Sequence, residues 1–307
     1  MNAKKAVLCA LKKGVVIPAY NIPYLPMVKP IVQAVADKNS IAMIQVARVE
    51  WEKFSSVSLE AVAEEYEKYK NEAYTLLHLD HIPVIDEDLK RVDAVSYIKR
   101  AISAGYQSVM IDASRLDLAG NIAATREAAD LAHSAGIPCE AELGAVMGHE
   151  SGEMPPYEEI FRTKKGFTDI GQAKEFVQKS GCDWLSVAVG SIHGAVAQAT
   201  RHQKKPEARL DIEHILALKE AAGIPLVLHG GSGINQGYIQ RGIKAGIAKI
   251  NVGTEIRQSY EQAMAEKDDV SFARQAVYEK TCWIIDEFLC IRDTKTLLQD
   301  CLGAQKE

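Results

Sequence analysis

Eight short runs of aliphatic and β-branched residues recur along the chain, at 15–20, 42–46, 75–79, 108–111, 138–143, 184–189, 225–228 and 248–252. Each is long enough for one strand. Between them lie amphipathic stretches with helical spacing, at 27–38, 59–70, 95–104, 119–134, 170–180, 212–221 and 236–245. Gly105, Gly136, Gly181, Gly223 and Gly246 stand where such helices end, the position that favours left-handed backbone. Apolar strands alternating with helices predict βαβ units and a parallel sheet buried on both faces. The length of 307 residues fits either two open-sheet domains of about 150 residues or one closed barrel of about 250 with an appendage. Eight units favour closure. The expected fold is α/β, a single-domain (β/α)8 TIM barrel over residues 1–269 with a C-terminal helical extension over 270–307.

The chain is 47% hydrophobic and 25% charged, enough to build a full core, which excludes disordered and disulfide-stapled classes. A net charge of −5 argues against broad binding to nucleic acid or anionic membrane, and any anionic ligand needs a focused pocket. Lys4 and Lys5 precede an apolar run of only six residues, too short for a secretion signal, and no stretch approaches the roughly 20 apolar residues of a membrane span. The six cysteines show no Cys-x-x-Cys spacing and read as buried reduced thiols of a cytoplasmic protein. Two connections exceed what a barrel needs: residues 149–166, rich in Gly and Pro, read as a mobile loop after the fifth strand, and 82–92 insert an acidic segment after the third. Both fall on the C-terminal face, where barrel active sites form.

Polar residues cluster at the strand ends. His78-Leu79-Asp80-His81 closes the third strand, Asp112 the fourth, Glu140 and Glu142 lie on the fifth, His193 follows the sixth, His229 ends the seventh and Asn251 the eighth. In a barrel these ends converge. His81, His193 and His229, from three strands and beside carboxylates, suit a Zn²⁺ site that keeps a fourth position open. His133, His202 and His214 sit in helical or loop contexts and read as structural, while His78 shares its parity with Asp80 and reads as structural or supporting. Asp80 could orient a ligand histidine, but its place beside His81 favours a general base. A Schiff-base lysine is the other route to such chemistry. The sixth strand carries none, and Lys249, the lysine of the eighth, reads as structural.

Glycine-rich turns supply a second half-site. His229-Gly230-Gly231-Ser232-Gly233 and Asn251-Val252-Gly253-Thr254 each lead from a late strand into a helix, where backbone N–H groups and the helix dipole favour a phosphate. Barrels commonly hold phosphate after strands seven and eight.

These motifs resemble the class II, zinc-dependent ketose-bisphosphate aldolases, the fructose- and tagatose-bisphosphate aldolase family. Val109-Met110-Ile111-Asp112-Ala113-Ser114, Glu140-Ala141-Glu142-Leu143-Gly144, Ala188-Val189-Gly190-Ser191-Ile192-His193-Gly194 and Lys249-Ile250-Asn251 extend the likeness from Tyr20-Asn21 to about Tyr260. The resemblance implies zinc on His81, His193 and His229, with Asp80 as catalytic acid/base. It implies supporting or alternate metal positions at Asp112 and Glu142, and a loop acid, Glu150, that moves a proton at the donor carbon. Asn21, Gly194, Gly230, Gly231, Ser232, Asn251, Gly253 and Thr254 would bind the dihydroxyacetone phosphate half, with a place near Gly194 and Gly230 for a monovalent cation, Na⁺ or K⁺. The expected reaction is reversible retro-aldol cleavage of a phosphorylated ketose, a 1-phosphate or 1,6-bisphosphate, in a homodimer or larger homo-oligomer.

Three departures touch the sugar-reading rim: Pro23-Tyr24 after Asn21-Ile22, Ala47 where a pocket serine is usual, and Ile82 where glycine usually follows the His-Leu-Asp-His motif. Arg48 and Arg257 are candidates to hold a distal anion, though as exposed arginines they also read as plain surface. A non-catalytic aldolase-like subunit and a zinc hydrolase on the same ligands are the alternatives. Retention of the histidines and Asp80 weighs against the first, and two anion-binding turns beside Asp80 against the second. In the extension, Trp283, Ile284, Ile285, Phe288 and Leu289 form an apolar stripe suited equally to a subunit interface or to capping the barrel bottom.

Overall fold

A computed structural model describes residues 1–144, 157–191, 208–231 and 233–303. Eight parallel strands, β1 (Ile17–Asn21), β2 (Ala42–Val46), β3 (Thr75–Leu79), β4 (Ser108–Ile111), β5 (Cys139–Leu143), β6 (Trp184–Val187), β7 (Leu226–Leu228) and β8 (Ile247–Val252), close in sequence order into a barrel. β8 pairs with β1. Around and beneath it run α1 (Ala3–Lys13), α2 (Val28–Asp37), α3 (Arg48–Lys53), α4 (Leu59–Tyr69), α5 (Ala94–Ser103), α6 (Leu118–Ser134) and α7 (Tyr157–Thr163). The remaining helices are α8 (Ile170–Ser180), α9 (Ile212–Ala222), α10 (Gln236–Ala245), α11 (Thr254–Lys267), α12 (Val270–Trp283) and α13 (Thr294–Gly303). The expected (β/α)8 barrel is the fold. Its strands are buried along their whole length, as a parallel sheet covered by helices requires.

Two apolar clusters divide the interior. The larger lies between strands and helices, with Leu77, Leu79, Val109 and Ile111 facing Val62, Ile98 and Ala129. The smaller fills the lower barrel, where Ile17, Met43, Leu76, Trp184 and Val227 meet Ala3, Ala6, Val7 and Ala10 of α1. α1 therefore stoppers the N-terminal mouth. It starts on an Asn2 side-chain cap and stops at Gly14, whose φ of 64° is left-handed. The apolar stripe after residue 270 takes a different place from the bottom cap considered above. Ile284, Ile285, Phe288 and Leu289 are buried in the outer cluster, while α12 packs on α2 and α11. Trp283 stays 42% exposed, stacked on Phe288.

Three expectations need correction. β6 ends at Val187, two residues early, because Ala188 turns to Thr168, exchanging hydrogen bonds of 2.9 and 3.0 Å with its hydroxyl and amide. Within the segment read as a loop at 149–166, α7 is helical. Its Tyr157 hydroxyl is anchored to Gly190 O at 2.9 Å and accepts from Arg209 N at 2.7 Å. The cysteines are not all thiols: Cys9 on α1 and Cys301 on α13 form a disulfide across 292 positions, a pairing that packing creates and local spacing cannot reveal. Alkylation of the unreduced, denatured chain should therefore label four cysteines. Reduction should lower stability by about 2–4 kcal/mol, measured by denaturant unfolding.

Candidate active site

Asp80, just past β3 and 2% exposed, is gripped from three other strands. Asn251 Nδ2 of β8 donates to one carboxylate oxygen at 2.9 Å. Asn21 Nδ2 of β1 and Gln45 Nε2 of β2 donate to the other at 2.9 and 3.1 Å. Gln45 also donates to Asn21 Oδ1 at 2.8 Å, so the amides brace each other. Burial pushes the Asp80 carboxyl up, but the combined positive charge of His81, His229 and Lys249 outweighs it and holds the group well below the usual carboxylate range. The result is an ionised, oriented carboxylate at the barrel mouth.

Beside it, His81 Nε2 and His229 Nδ1 face each other at 2.7 Å. The far nitrogens point to carboxylates: His229 Nε2 to Glu140 at 2.9 Å, and His81 Nδ1 to Asp112 at 3.4 Å. A histidine that donates outward from one nitrogen turns the lone pair of the other inward. Here the inward nitrogens also face Glu142 Oε2, at 3.6 Å from His81 and 3.2 Å from His229. Against the effect of burial, Glu142, Asp112 and Asp80 push the His81 pKa up to about 10. Donor atoms of Asp80, His81 and His229 lie within 4.8 Å of one another, as do those of His81, Asp112 and Glu142. Imidazole and carboxylate donors backed by further carboxylates fit a divalent transition metal.

A buried polar layer lies below. Glu140 also meets Lys249 Nζ at 3.0 Å and His78 Nε2 at 3.6 Å. His78 Nδ1 pairs with Ser108 at 2.8 Å, and burial, then the Lys249 charge, lowers its pKa to about 3. It is a neutral supporting residue. Ser186 donates to Glu142 at 3.2 Å, and the Ser114 hydroxyl and amide donate to Asp112 at 2.6 and 3.0 Å.

The two glycine turns lie beside this cluster. Gly230 has a φ of 68°, which admits the left-handed turn after β7. A Cβ at Gly253 would come within 3.3 Å of Asn21 Oδ1, and Gly253 gives α11 no side-chain cap, whereas Asn235 caps α10. The N-terminus of α11, beginning at Thr254, thus gets no cap from the residue before it, and its backbone N–H groups are donors of the kind that favour an anion. Glu150, His193, Gly194 and Ser232 lie outside the described residues.

The candidate distal arginines are engaged internally. Arg257 is 5% exposed rather than a surface residue, and it pairs with Glu261 at 2.7 Å. Arg48 pairs with Glu52 at 2.7 Å and Asp86 at 3.3 Å, linking α3 to the acidic insertion. At the rim, Tyr24 donates to Glu261 at 2.7 Å and stacks on Tyr260, and Ile82 is fully buried. Of the histidines assigned structural roles, His133 bonds to Asp183 and His214 to Thr168 O, both at 2.8 Å, and His202 lies outside the described residues.

Sequence reasoning missed Gln45, the roles of Glu140 and Lys249, and Glu50. The last receives the Ala47 amide at 2.8 Å and is buried next to Asn21. Burial, reinforced by the Asp80 charge, raises its pKa to about 8 against the opposing Ala47 and Asn21 hydrogen bonds. A folded-state pKa above the unfolded value of 4.5 contributes stability below pH 4.5 that is lost as pH rises through about 8. Thermal unfolding from pH 5 to 9 should show that loss, and Glu50→Gln, which keeps the acceptor, should flatten it.

A family model described as fructose-bisphosphate aldolase class-II matches residues 1–293. Among solved structures, the YdjI aldolase from Escherichia coli K12 is 29% identical with a TM-score of 0.74, covering 94% of this chain and 97% of its own. A putative fructose-1,6-biphosphate aldolase from Coccidioides immitis is 26% identical with a TM-score of 0.74, covering 96% and 98%. Fructose-bisphosphate aldolase from Campylobacter jejuni, 16% identical with a TM-score of 0.72 over 95% and 96%, shares the fold.

Proposed function

Because the chain belongs to the class II fructose-bisphosphate aldolase family and is a lyase, we propose that it cleaves a phosphorylated ketose, reversibly and with zinc, into dihydroxyacetone phosphate and an aldehyde. One observation carries this reading: the inward nitrogens of His81 and His229 sit beside an Asp80 carboxylate held by three amide donors. His193 is the proposed third histidine, with Asp112 and Glu142 supporting the set. When bound, the metal supplies a Lewis acid for the negative charge that develops at the donor carbonyl.

Asp80 takes the proton of the C4 hydroxyl as the C3–C4 bond breaks, and returns it in the aldol direction. Its three amide donors keep it from rotating toward the histidines. Glu150 moves the proton at the donor carbon. Backbone N–H groups around Gly194, Gly230, Gly231, Ser232, Gly253 and Thr254 receive the phosphate, with Na⁺ or K⁺ near Gly194 and Gly230, and Asn21 and Asn251 orient the donor beside Asp80. The departures at Pro23-Tyr24, Ala47 and Ile82 alter the aldehyde side, and the internal pairing of Arg48 and Arg257 leaves a second phosphate weakly provided for. We therefore favour ketose 1-phosphates over 1,6-bisphosphates. Among the described residues no helix is long and apolar enough to cross a membrane. A homo-oligomer in carbohydrate metabolism, of glycolytic type, completes the proposal.

The test is a panel of ketose mono- and bisphosphates read by triose phosphate release. Release from at least one ketose 1-phosphate is expected, with lower kcat/KM on fructose 1,6-bisphosphate. No triose phosphate from any member would sink the reading.

A further inference from the structure

Lys249 is a fully buried charge that the mechanism above does not use. Its Nζ sits at a junction. On one side it lies 3.0 Å from Glu140 Oε2, whose partner oxygen Oε1 receives His229 Nε2 at 2.9 Å. On the other it donates to Asn251 Oδ1 at 2.6 Å, and the Nδ2 of that amide donates to Asp80 at 2.9 Å. We propose that Lys249 is a positioning residue that sets the metal-facing nitrogen of His229 and the orientation of Asp80 from one point. The inference rests on the aldolase reading for the roles of His229 and Asp80.

The geometry follows from donor and acceptor inventories. An ammonium has only donors, so it must meet the oxygen of the Asn251 side chain and thereby turns the NH2 group toward Asp80. Against Glu140, the same ammonium holds a carboxylate that has only acceptors, so His229 presents N–H from Nε2, which leaves Nδ1, 2.7 Å from His81 Nε2 and 3.2 Å from Glu142 Oε2, as the nitrogen that faces the metal site. Without Lys249, Asn251 is free to flip its amide, which would place an oxygen against the Asp80 carboxylate. Glu140 would then be a buried charge whose remaining partners are histidines. A Schiff-base role does not fit, since Nζ is fully enclosed and engaged by two oxygens.

Lys249→Met tests this in the metal-loaded and metal-stripped protein. Three results are expected: kcat about 100-fold lower, as for a small misplacement of catalytic groups, with KM within about threefold; metal affinity about 10–100-fold weaker by chelator competition; and loss of the single Nε2–H tautomer of His229 in two-bond ¹H–¹⁵N spectra of the metal-stripped chain. A folded variant with all three at wild-type values overturns the proposal. So does a fall in kcat with metal affinity and tautomer unchanged, because the ammonium would then not act through Glu140. Should Met prevent folding, Lys249→Gln is read on the same three scales, and an Nδ1–H tautomer of His229 in the unaltered chain overturns the proposal by itself. Wild-type protein that released no triose phosphate would count against the aldolase reading, leaving metal affinity and tautomer to decide the role of Lys249.

Discussion

Replacing Asp80 with alanine should lower kcat for ketose phosphate cleavage by about 10²–10⁴-fold, the usual contribution of a positioned acid/base, while the protein still folds and retains its metal. The carboxylate is buried, ionised and held by Asn21, Gln45 and Asn251, three amides from three strands. Such investment orients one group without making it a required metal ligand, since His81 and His229 have carboxylate partners of their own in Asp112 and Glu140. The variant leaves three amide donors facing a small cavity that water can fill, so the loss should appear in kcat rather than in folding. The checks are triose phosphate release under saturating substrate, with metal content measured on the same sample. Wild-type kcat in the variant would remove Asp80 from the reaction.

Loss of the metal should cost at least as much. Chelator-stripped protein should show cleavage reduced by about 10³-fold or more, equivalent to several kcal/mol of charge stabilisation, and added Zn²⁺ should restore it. His229→Ala should show the same loss without restoration. It removes the inward nitrogen 2.7 Å from His81 Nε2 and leaves Glu140 with Lys249. Metal per chain, followed by elemental analysis beside activity, separates the two cases. Activity indifferent to stripping would contradict a metal-dependent class II reaction.

The barrel was legible because each strand is buried on both faces and mostly apolar, so the eight runs stand out even where their ends slip by two residues, as at Val187. α1 was legible in principle and overlooked: Asn2, Gly14 and the spacing of Ala3, Ala6, Val7 and Ala10 spell a capped amphipathic helix. The Cys9–Cys301 bridge was not, since its partners meet only after α13 packs under the barrel beside α1. In the site, Asp80, His81 and His229 were visible because strand ends converge on one mouth. Gln45, Glu140 and Lys249 sit within strands, where their signal is subtler: a polar residue in a strand covered on both faces must point into the barrel and find a partner there. Which partner it finds depends on strand stagger, and periodicity does not carry that. Arg257 shows the opposite error, since a charged residue in the first turn of a helix reads as surface until Glu261 and the Phe54 ring are seen enclosing it.

Metal-dependent proton removal at the donor carbon lies at the centre of this account, and Asp80 serves only the acceptor side. Deuterium exchange into dihydroxyacetone phosphate in D2O, without aldehyde, isolates that half-reaction. The metal-loaded protein should exchange, chelation should abolish the exchange, and Asp80→Ala should retain it although cleavage is lost. Exchange that persists after the metal is stripped would contradict metal-dependent proton removal.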